Sequence, residues 1–546
     1  MIQFERLTLP ALALAAAAQY KNRHAFGVFG NGRINNSVSY AEFGGNIRRF
    51  ARRLREMNIA PGDRVMILSE NRPEWAAAYF GIALAGAVSV PVLPDFSAGQ
   101  IENIAAHAEI SAVCLSGKTA RKFREWGTVP VINFDRFEQF LEPEHPRKSA
   151  AASLPDDRFP AVEEDSLASI LYTSGTTGQS KGVMLSHRNL VYTAAATRSI
   201  VKIYPRDRFL SLLPLAHAFE CTMGMLIAVM SGASITYLNG PPVLEALLEA
   251  AQAVRPTAML TVPLIIEKLY RGRIEPALKA SPLYRFPLTR PMAAAIAGRK
   301  LMGWFGGCIR FFSIGGAALA EDVEYFLRKI QFPYTLGYGM TEAAPLLAGT
   351  APFKFPPASA GRVLTGVSLR IVNGEIQAKG PNLTSGYYRD ADRTQASFTD
   401  DGWFKTGDLG EFDRKGYLYI KGRLKAMILG PSGENIYPEE IESLLNKSEI
   451  VEDALVCTGE KGELAAIIVL SEAAKALSAL DAGAAALGGA LGLAGGALGS
   501  ALQELKRGVN KRLASFSRIS RIEVRTEPFE KTATQKIKRF LYHNTK

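Results

Sequence analysis

The chain has 546 residues, 47% hydrophobic and 21% charged, a composition that excludes a fibrous or intrinsically disordered protein and suits several packed domains. The formal net charge is +12, and residues 506–546 alone hold 12 Lys plus Arg against 3 Glu, so the tail suits polyphosphate ligands or an anionic membrane surface. Nucleic acid is not expected as a partner, because aromatic interleaving is sparse and no helix-turn-helix, finger or RNA-binding signature occurs.

Residues 12–18 are apolar, but Glu5 and Arg6 precede them, Lys21 and Arg23 follow, and no cleavage-like site intervenes. An amphipathic helix is expected there, not a signal peptide. Ser39 and Glu42 make a capping box, after which Phe43, Ile47, Phe50 and Leu54 recur at helical spacing up to the turn Pro61-Gly62-Asp63. A strand over 64–68, a helix over 73–85 and a strand over 88–92 imply a parallel sheet. Cys114, Cys221, Cys308 and Cys457 lie far apart, without the close pairing of a zinc site or disulfide framework, and are expected to be reduced thiols of a cytoplasmic protein.

A strand over 168–171 leads into Tyr172-Thr-Ser-Gly-Thr-Thr-Gly-Gln-Ser-Lys-Gly182, followed by a helix from near Ser186. Gly175 and Gly178 allow backbone N–H groups to turn toward an anion, the hydroxyls of Thr173, Ser174, Thr176 and Thr177 add donors, and Lys181 adds charge. The run reads as a phosphate cradle, though it lacks the Gly-Lys-Ser/Thr of the P-loop. The alternation then resumes with a strand over 209–213, a helix over 223–231, a strand over 234–238 and a helix over 243–254. From Gly374 onward, short strands and Gly/Asp turns point to a small β-rich subdomain. Residues 482–499 comprise seven Ala, seven Gly and four Leu, too short and weakly apolar for a membrane span and better suited to a linker.

Four further motifs follow in order: Gly337-Tyr338-Gly339-Met340-Thr341-Glu342, Trp403-Phe-Lys-Thr-Gly-Asp408, Gly422-Arg423-Leu424-Lys425, and the tail around Lys536. Together with the loop at 172–182 they resemble the adenylate-forming superfamily of acyl-CoA synthetases, aryl-CoA ligases, adenylation domains and luciferases. Ser180 stands where the family commonly has Pro, and Gln535 where it has Gly. The resemblance implies an α/β fold: a large N-terminal domain of parallel α/β subdomains plus a small β-rich subdomain, then a small mobile α+β C-terminal domain. Residues 1–423 would bind AMP and the acyl group, and 424–546 would carry the catalytic lysine.

The same resemblance implies the residue roles. Tyr338, beside Gly339, would stack on adenine, Thr341 would bond the α-phosphate, and Glu342 would hold Mg²⁺. Asp408 and Arg423 would contact ribose, and Lys536 would bridge carboxylate and phosphate oxygens during adenylation. Lys425 would be the hinge of the C-terminal domain, and the segment from Ser432 to Glu442 would face coenzyme A. In Ser313-Ile-Gly-Gly-Ala-Ala318, Gly315, Gly316 and Ala317 would line the site between adenine and acyl head. Leu213-Pro-Leu-Ala-His-Ala-Phe-Glu220 and the segment from Arg255 to Lys268 resemble the long-chain branch, with His217, Met223 and Met259 in the acyl pocket. The implied activity is ATP-dependent activation of a fatty acid and thioester formation with coenzyme A. Ligases that deliver to an acyl carrier protein share these motifs. A cytoplasmic protein is expected, with its basic tail suited to peripheral attachment on the inner face of the cell membrane.

Overall fold

A computed structural model describes residues 5–123, 129–142, 159–174, 180–238, 240, 243–429, 435–459, 463–472, 474–476, 497–531 and 537–542. The chain forms two compact units. The first comprises Met1–Arg370, Gln377–Lys405 and Asp413–Leu418, and the second Ile371–Ile376, Thr406–Phe412 and Tyr419–Lys546. The second unit thus takes in two strand ends and residues 419–423 as well as the segment from 424 onward.

Two sheets organise the first unit. In one, the described strands run in the order Gly386–Tyr387, Ser180–Ser186, Leu167–Ser174, Val88–Val92, Arg64–Leu68, Ile110–Leu115 and Val131–Asn133. Arg64–Leu68 pairs in parallel with both Val88–Val92 and Ile110–Leu115. Val88–Val92 is buried at every position, as a strand covered on both faces by crossover helices requires. The capping box is present: Ser39 and Glu42 close the start of the helix Tyr40–Glu56, which buries Phe43, Ile47, Phe50 and Leu54. The N-terminal helix runs over Leu9–Gln19, capped by the Thr8 hydroxyl, with Leu9, Leu12, Ala13 and Ala16 inward.

The other sheet has the order Arg362–Val363, Leu346–Gly349, Tyr334–Gly339, Phe311–Ile314, Ala258–Thr261, Arg208–Ser211, Ser234–Leu238, His24–Gly30 and Arg33–Ser39. Its six central strands, from Tyr334–Gly339 to His24–Gly30, are parallel, and the antiparallel strands lie toward its edges. The helix read from sequence as 223–231 begins earlier, as a π-helical turn over Phe219–Leu226 that continues into Ile227–Ser231. Gly224 makes room for it, since a Cβ there would lie 2.6 Å from the Glu220 carboxylate. The strand read as 209–213 stops at Ser211, ahead of Pro214, which has no N–H to give a ladder.

The β-rich texture after Gly374 is a four-stranded sheet in the order Ser368–Val372, Glu375–Lys379, Phe404–Phe412 and Leu418–Arg423. In the second unit Leu464–Leu470 pairs antiparallel with Val451–Thr458 and parallel with Arg521–Arg525. One face packs on Ile441, Leu445 and Val509, the other on Phe529 and Tyr542, so all seven residues of Leu464–Leu470 are buried. Most of the Ala/Gly/Leu run lies outside the described residues. Among those described, no helix is long and apolar enough to cross a membrane.

Candidate active site

The strands Leu167–Ser174 and Ser180–Ser186 form an antiparallel hairpin in which Thr173 faces Lys181 and Tyr172 faces Gly182. Gly175, Thr176, Thr177 and Gly178 lie outside the described residues. The hairpin exits into the helix His187–Thr197, whose start is closed by Ser186 and Asn189. It therefore fixes Lys181 on a strand, one position from the loop, where the backbone ladder limits its movement. The Thr173 hydroxyl is buried and meets no hydrogen-bond partner among the described residues. A buried unmatched hydroxyl is costly unless a ligand completes it, and a phosphate oxygen fits that need.

Lys181 Nζ donates to Glu342 Oε1 at 2.5 Å and to the Tyr387 hydroxyl at 3.1 Å, while the Tyr387 hydroxyl donates to Glu342 Oε1 at 2.8 Å. The three side chains close a triangle. Lys181 also sits 4.7 Å from the centroid of the Tyr387 ring, within cation–π range. The Glu342 side chain is 4% exposed and that of Lys181 24%. Burial alone would push the Glu342 carboxyl up, but the Lys181 charge and the hydrogen bonds from Lys181 and Tyr387 outweigh it and hold the group below its ordinary value. Burial first, and then the Glu342 charge, push the Tyr387 hydroxyl up.

Glu342 lies in a 3₁₀ turn, Thr341–Ala343, directly after the strand Tyr334–Gly339. Tyr338 is buried on that strand. A Cβ on Gly339 would fall 1.8 Å from the Pro345 carbonyl oxygen, so no other residue fits where the chain folds back on itself. Among the described residues no three His, Cys, Asp or Glu gather as a metal cage. A lone carboxylate nevertheless fits Mg²⁺, which takes one or two protein carboxylates and completes its shell with substrate phosphates and water.

Gly315 ends the strand Phe311–Ile314, its N–H donating to the Thr261 carbonyl at 3.1 Å. A Cβ on it would lie 3.0 Å from the Phe219 ring. Gly316 has φ +91°, and both Gly316 and Ala317 are exposed. Phe219 belongs to the π-helical turn, which links this corner to the residues of the expected acyl pocket. Met223 is buried on the same turn and accepts from the Thr197 hydroxyl at 3.6 Å. His217 is half-buried and its Nδ1 accepts from Phe219 N at 3.3 Å. Met259 is fully buried in the core cluster with Leu210 and Phe312.

Two residues of consequence were not singled out from sequence. Glu220 carries no role by resemblance, and its sequence signal is a carboxylate in an apolar run. It is 2% exposed, accepts from the Ser211 hydroxyl at 2.6 Å, and its Oε2 meets no partner among the described residues. Burial pushes its carboxyl up to about 8 against that one hydrogen bond. Asn71 donates to both Ser211 Oγ and the Leu213 carbonyl, so the network joins two strand ends to the turn that carries Phe219. Tyr387 had no local signal, since its role depends on Lys181, 206 residues away.

In the second unit Arg423 Nε pairs with Asp408 Oδ1 at 2.8 Å, and the Asp408 side chain is 6% exposed. The two expected ribose ligands are thus together. Lys425 is exposed on a 3₁₀ turn, Leu424–Ala426. Of the segment expected to face coenzyme A, residues 432–434 lie outside the described residues, and the helix Pro438–Leu445 is entered through Pro438. Lys536 also lies outside the described residues. The chain on either side of it is anchored: Lys531 bridges Ile537, and Lys538 N donates to the Glu530 carbonyl at 2.8 Å. Lys531 pairs with Asp453 at 2.6 Å, Lys538 with Glu530 at 3.1 Å, and Arg539 with Glu442.

A family model described as AMP-binding enzyme matches residues 14–388. Long-chain-fatty-acid–CoA ligase FadD15 of Mycobacterium bovis is 30% identical over 475 residues, covering 79% of this chain and 77% of that protein. Long-chain-fatty-acid–CoA ligase heimdall of Drosophila melanogaster is 30% identical over 468 residues, covering 75% and 68%. 4-coumarate–CoA ligase 3 of Oryza sativa subsp. japonica is 29% identical over 455 residues, covering 78% and 76%. Among solved structures, ATP-bound MatB from Rhodopseudomonas palustris has a TM-score of 0.75 at 23% identity, and O-succinylbenzoate coenzyme A synthetase from Bacillus subtilis with AMP has 0.74 at 22%. Each covers 98% of both chains, a likeness of fold.

Proposed function

The chain belongs to the AMP-binding enzyme family, and on that premise we propose that this adenylate-forming acid–CoA ligase acts on a long-chain fatty acid, forming an acyl-adenylate with ATP and then a thioester with coenzyme A. The observation that carries the reading is the Lys181–Glu342–Tyr387 triangle, in which two motifs 161 residues apart meet side chain to side chain. A buried carboxylate held ionised beside an ammonium group, next to an unmatched threonine hydroxyl, is an arrangement for polyphosphate and its cation.

In this mechanism the Thr173 hydroxyl and Lys181 receive phosphate oxygens, and Glu342 would hold a magnesium ion, which when bound would neutralise part of the polyphosphate charge. Thr341 bonds the α-phosphate, Tyr338 stacks on adenine, and Asp408 with Arg423 takes the ribose hydroxyls. The fatty acid's carboxylate attacks the α-phosphorus, the bond from that phosphorus to the bridging oxygen breaks and pyrophosphate leaves with its electron pair, and Lys536 offsets the charge gathering on the oxygens of both reactants. The ion pairs of Lys531 with Asp453 and Lys538 with Glu530 favour Lys536 over those two neighbours for the role. Rotation at Lys425 then exchanges Lys536 for the coenzyme A face. The long-chain assignment draws on the fatty-acid ligases among the relatives and on His217 and Met223, one bonded to Phe219 and the other on its turn, whose ring meets the Gly315 corner.

The test is AMP release across saturated acids of increasing length, 4-coumarate and benzoate, each with coenzyme A, acyl carrier protein or no acceptor. Highest kcat/KM for long saturated acids with coenzyme A is expected. A preference for an aromatic acid would refute the substrate class, and transfer only to carrier protein would refute the acceptor.

A further inference from the structure

Between the strands Ala258–Thr261 and Phe311–Ile314 the chain makes a long helical excursion that includes Pro282–Arg285 and Arg290–Trp304. The longer helix has two apolar sides. Ala293 and Leu301 pack into the core, with Ala297 and Met302 against them. On the opposite side Met292 is 59% exposed and Ile296 51%, and in the turn ahead of the helix Leu288 is 95% and Phe286 67% exposed. Met292, Ile296 and Lys300 follow one another at intervals of four along the helix and form one stripe, which Leu288 and Phe286 extend from the turn leading into the helix. Large apolar side chains gathered in one row on a surface mark a contact surface.

The charge around the stripe says what it fits. Residues 276–320 contain no Asp or Glu and six Lys plus Arg. Arg285, Arg290, Arg299 and Lys300 are exposed and, among the described residues, meet no carboxylate within ion-pair distance. Arg290 lies over the Tyr284 ring and donates to the Tyr284 carbonyl, and Lys300 lies over the Trp304 ring. Cations outside this patch behave differently: Arg273 pairs with Glu245 and Arg271 with Asp322. An apolar row flanked by unneutralised cations is the pattern of a helix that lies in a membrane interface, with its apolar side among acyl chains and its cations at anionic headgroups. The basic tail matches less well, because Arg521, Arg525, Lys531, Lys538 and Arg539 all pair with carboxylates of the second unit.

We propose that the face formed by Leu288, Met292 and Ile296, ringed by Arg285, Arg299 and Lys300, docks the protein on an anionic lipid surface. The inference does not depend on the ligase reading, because binding is measured without substrates. The experiment is co-sedimentation of the full chain with phosphatidylcholine vesicles, with and without phosphatidylglycerol, at low and high salt. The parent should bind the phosphatidylglycerol vesicles and release as salt rises. Replacing Leu288, Met292 and Ile296 by Ser should lower the partition coefficient by at least about tenfold, the loss expected from withdrawing one well-buried aliphatic side chain. R285E/R299E/K300E should weaken binding and flatten its salt dependence, while K506A/R507A/K511A/R512A in the tail should bind as the parent does. Unchanged near-ultraviolet dichroism and pyrophosphate exchange in the face variants check that they fold. Absence of parent binding, loss through the tail variant instead, or face variants that change only the oligomeric state would each overturn the proposal, the last in favour of a second copy as the occupant.

Discussion

Replacing Lys181 by Met should destabilise the first unit by an amount that grows with pH. In the parent, Glu342 is held below its ordinary value chiefly against burial, so its stabilisation is present above the unfolded-state value of 4.5 and is lost as pH falls. Without Lys181, burial prevails and the folded group titrates above 4.5, so the variant's stability is full below 4.5 and declines as pH rises. Keeping one carboxyl neutral costs about 1.4 kcal/mol for each pH unit above its unfolded value, so the difference from the parent should be near 1 kcal/mol at about pH 5. It should climb until it meets the ~3–5 kcal/mol typical of a broken buried pair, at about pH 7 to 8. Glu342→Gln should cost less, because the Lys181 side chain is a quarter exposed and water can serve it. The double variant should show no pH slope relative to Glu342→Gln. All four tryptophans, including the buried Trp75, belong to the first unit, so urea unfolding followed by tryptophan fluorescence at a series of pH values reports the right part of the chain. A Lys181→Met penalty that is flat from pH 5 to 8 would refute the account of Glu342 as a buried anion held by Lys181.

Lys536→Ala should lower acyl-adenylate formation by roughly a hundredfold to a thousandfold, the usual loss when a positioned charge is removed from a transition state, and leave thioester formation from supplied acyl-adenylate intact. Lys531→Ala and Lys538→Ala should each cost under about tenfold, as expected of solvent-side ion pairs, and equal losses at all three lysines in pyrophosphate exchange would undo the assignment. The Glu220 carboxyl, raised to about 8 by burial, favours the folded state below its ordinary value of 4.5 and loses that advantage as pH rises toward 8. Glu220→Gln should therefore gain stability relative to the parent between those pH values in thermal scans, whereas Glu220→Ala should lose it below 4.5 by opening a cavity and leaving the Ser211 hydroxyl proton without its acceptor, a loss that shrinks as pH rises. Cys308 is half-buried while the other three thiols are buried, and burial pushes Cys114 and Cys457 up. One thiol, Cys308, should react first with a maleimide in the folded protein, and peptide mapping that finds Cys114 first would contradict the core described above.

What was legible in the sequence follows from how local each signal is. The Ser39 capping box, the apolar strand over 64–68 and the short strands from Gly374 onward are decided within a few residues, and each appears in the fold. The π-helical start at Phe219 was not legible, because it depends on Gly224 accommodating a carboxylate that Ser211 holds from another strand. The same distinction runs through the site. Lys181 and Glu342 announce themselves in motifs, but that they touch, and that Tyr387 completes them, is a property of pairing between Gly386–Tyr387 and Ser180–Ser186. The apolar row at Leu288, Met292 and Ile296 is not legible for a further reason: apolar spacing alone does not say which of two apolar sides faces the core.

The late arrival of Tyr387 has a consequence for synthesis on the ribosome. Ser180–Ser186 can pair with Leu167–Ser174 as soon as both have emerged, but its other side is covered only when Gly386–Tyr387 is made. At about 5–20 residues per second, 206 residues take on the order of 10–40 s. Throughout that interval a strand bearing the site's lysine presents open backbone groups to neighbouring nascent chains. Lys181 itself then serves a second purpose, since a charge on an uncovered strand discourages such pairing until its own partners are translated.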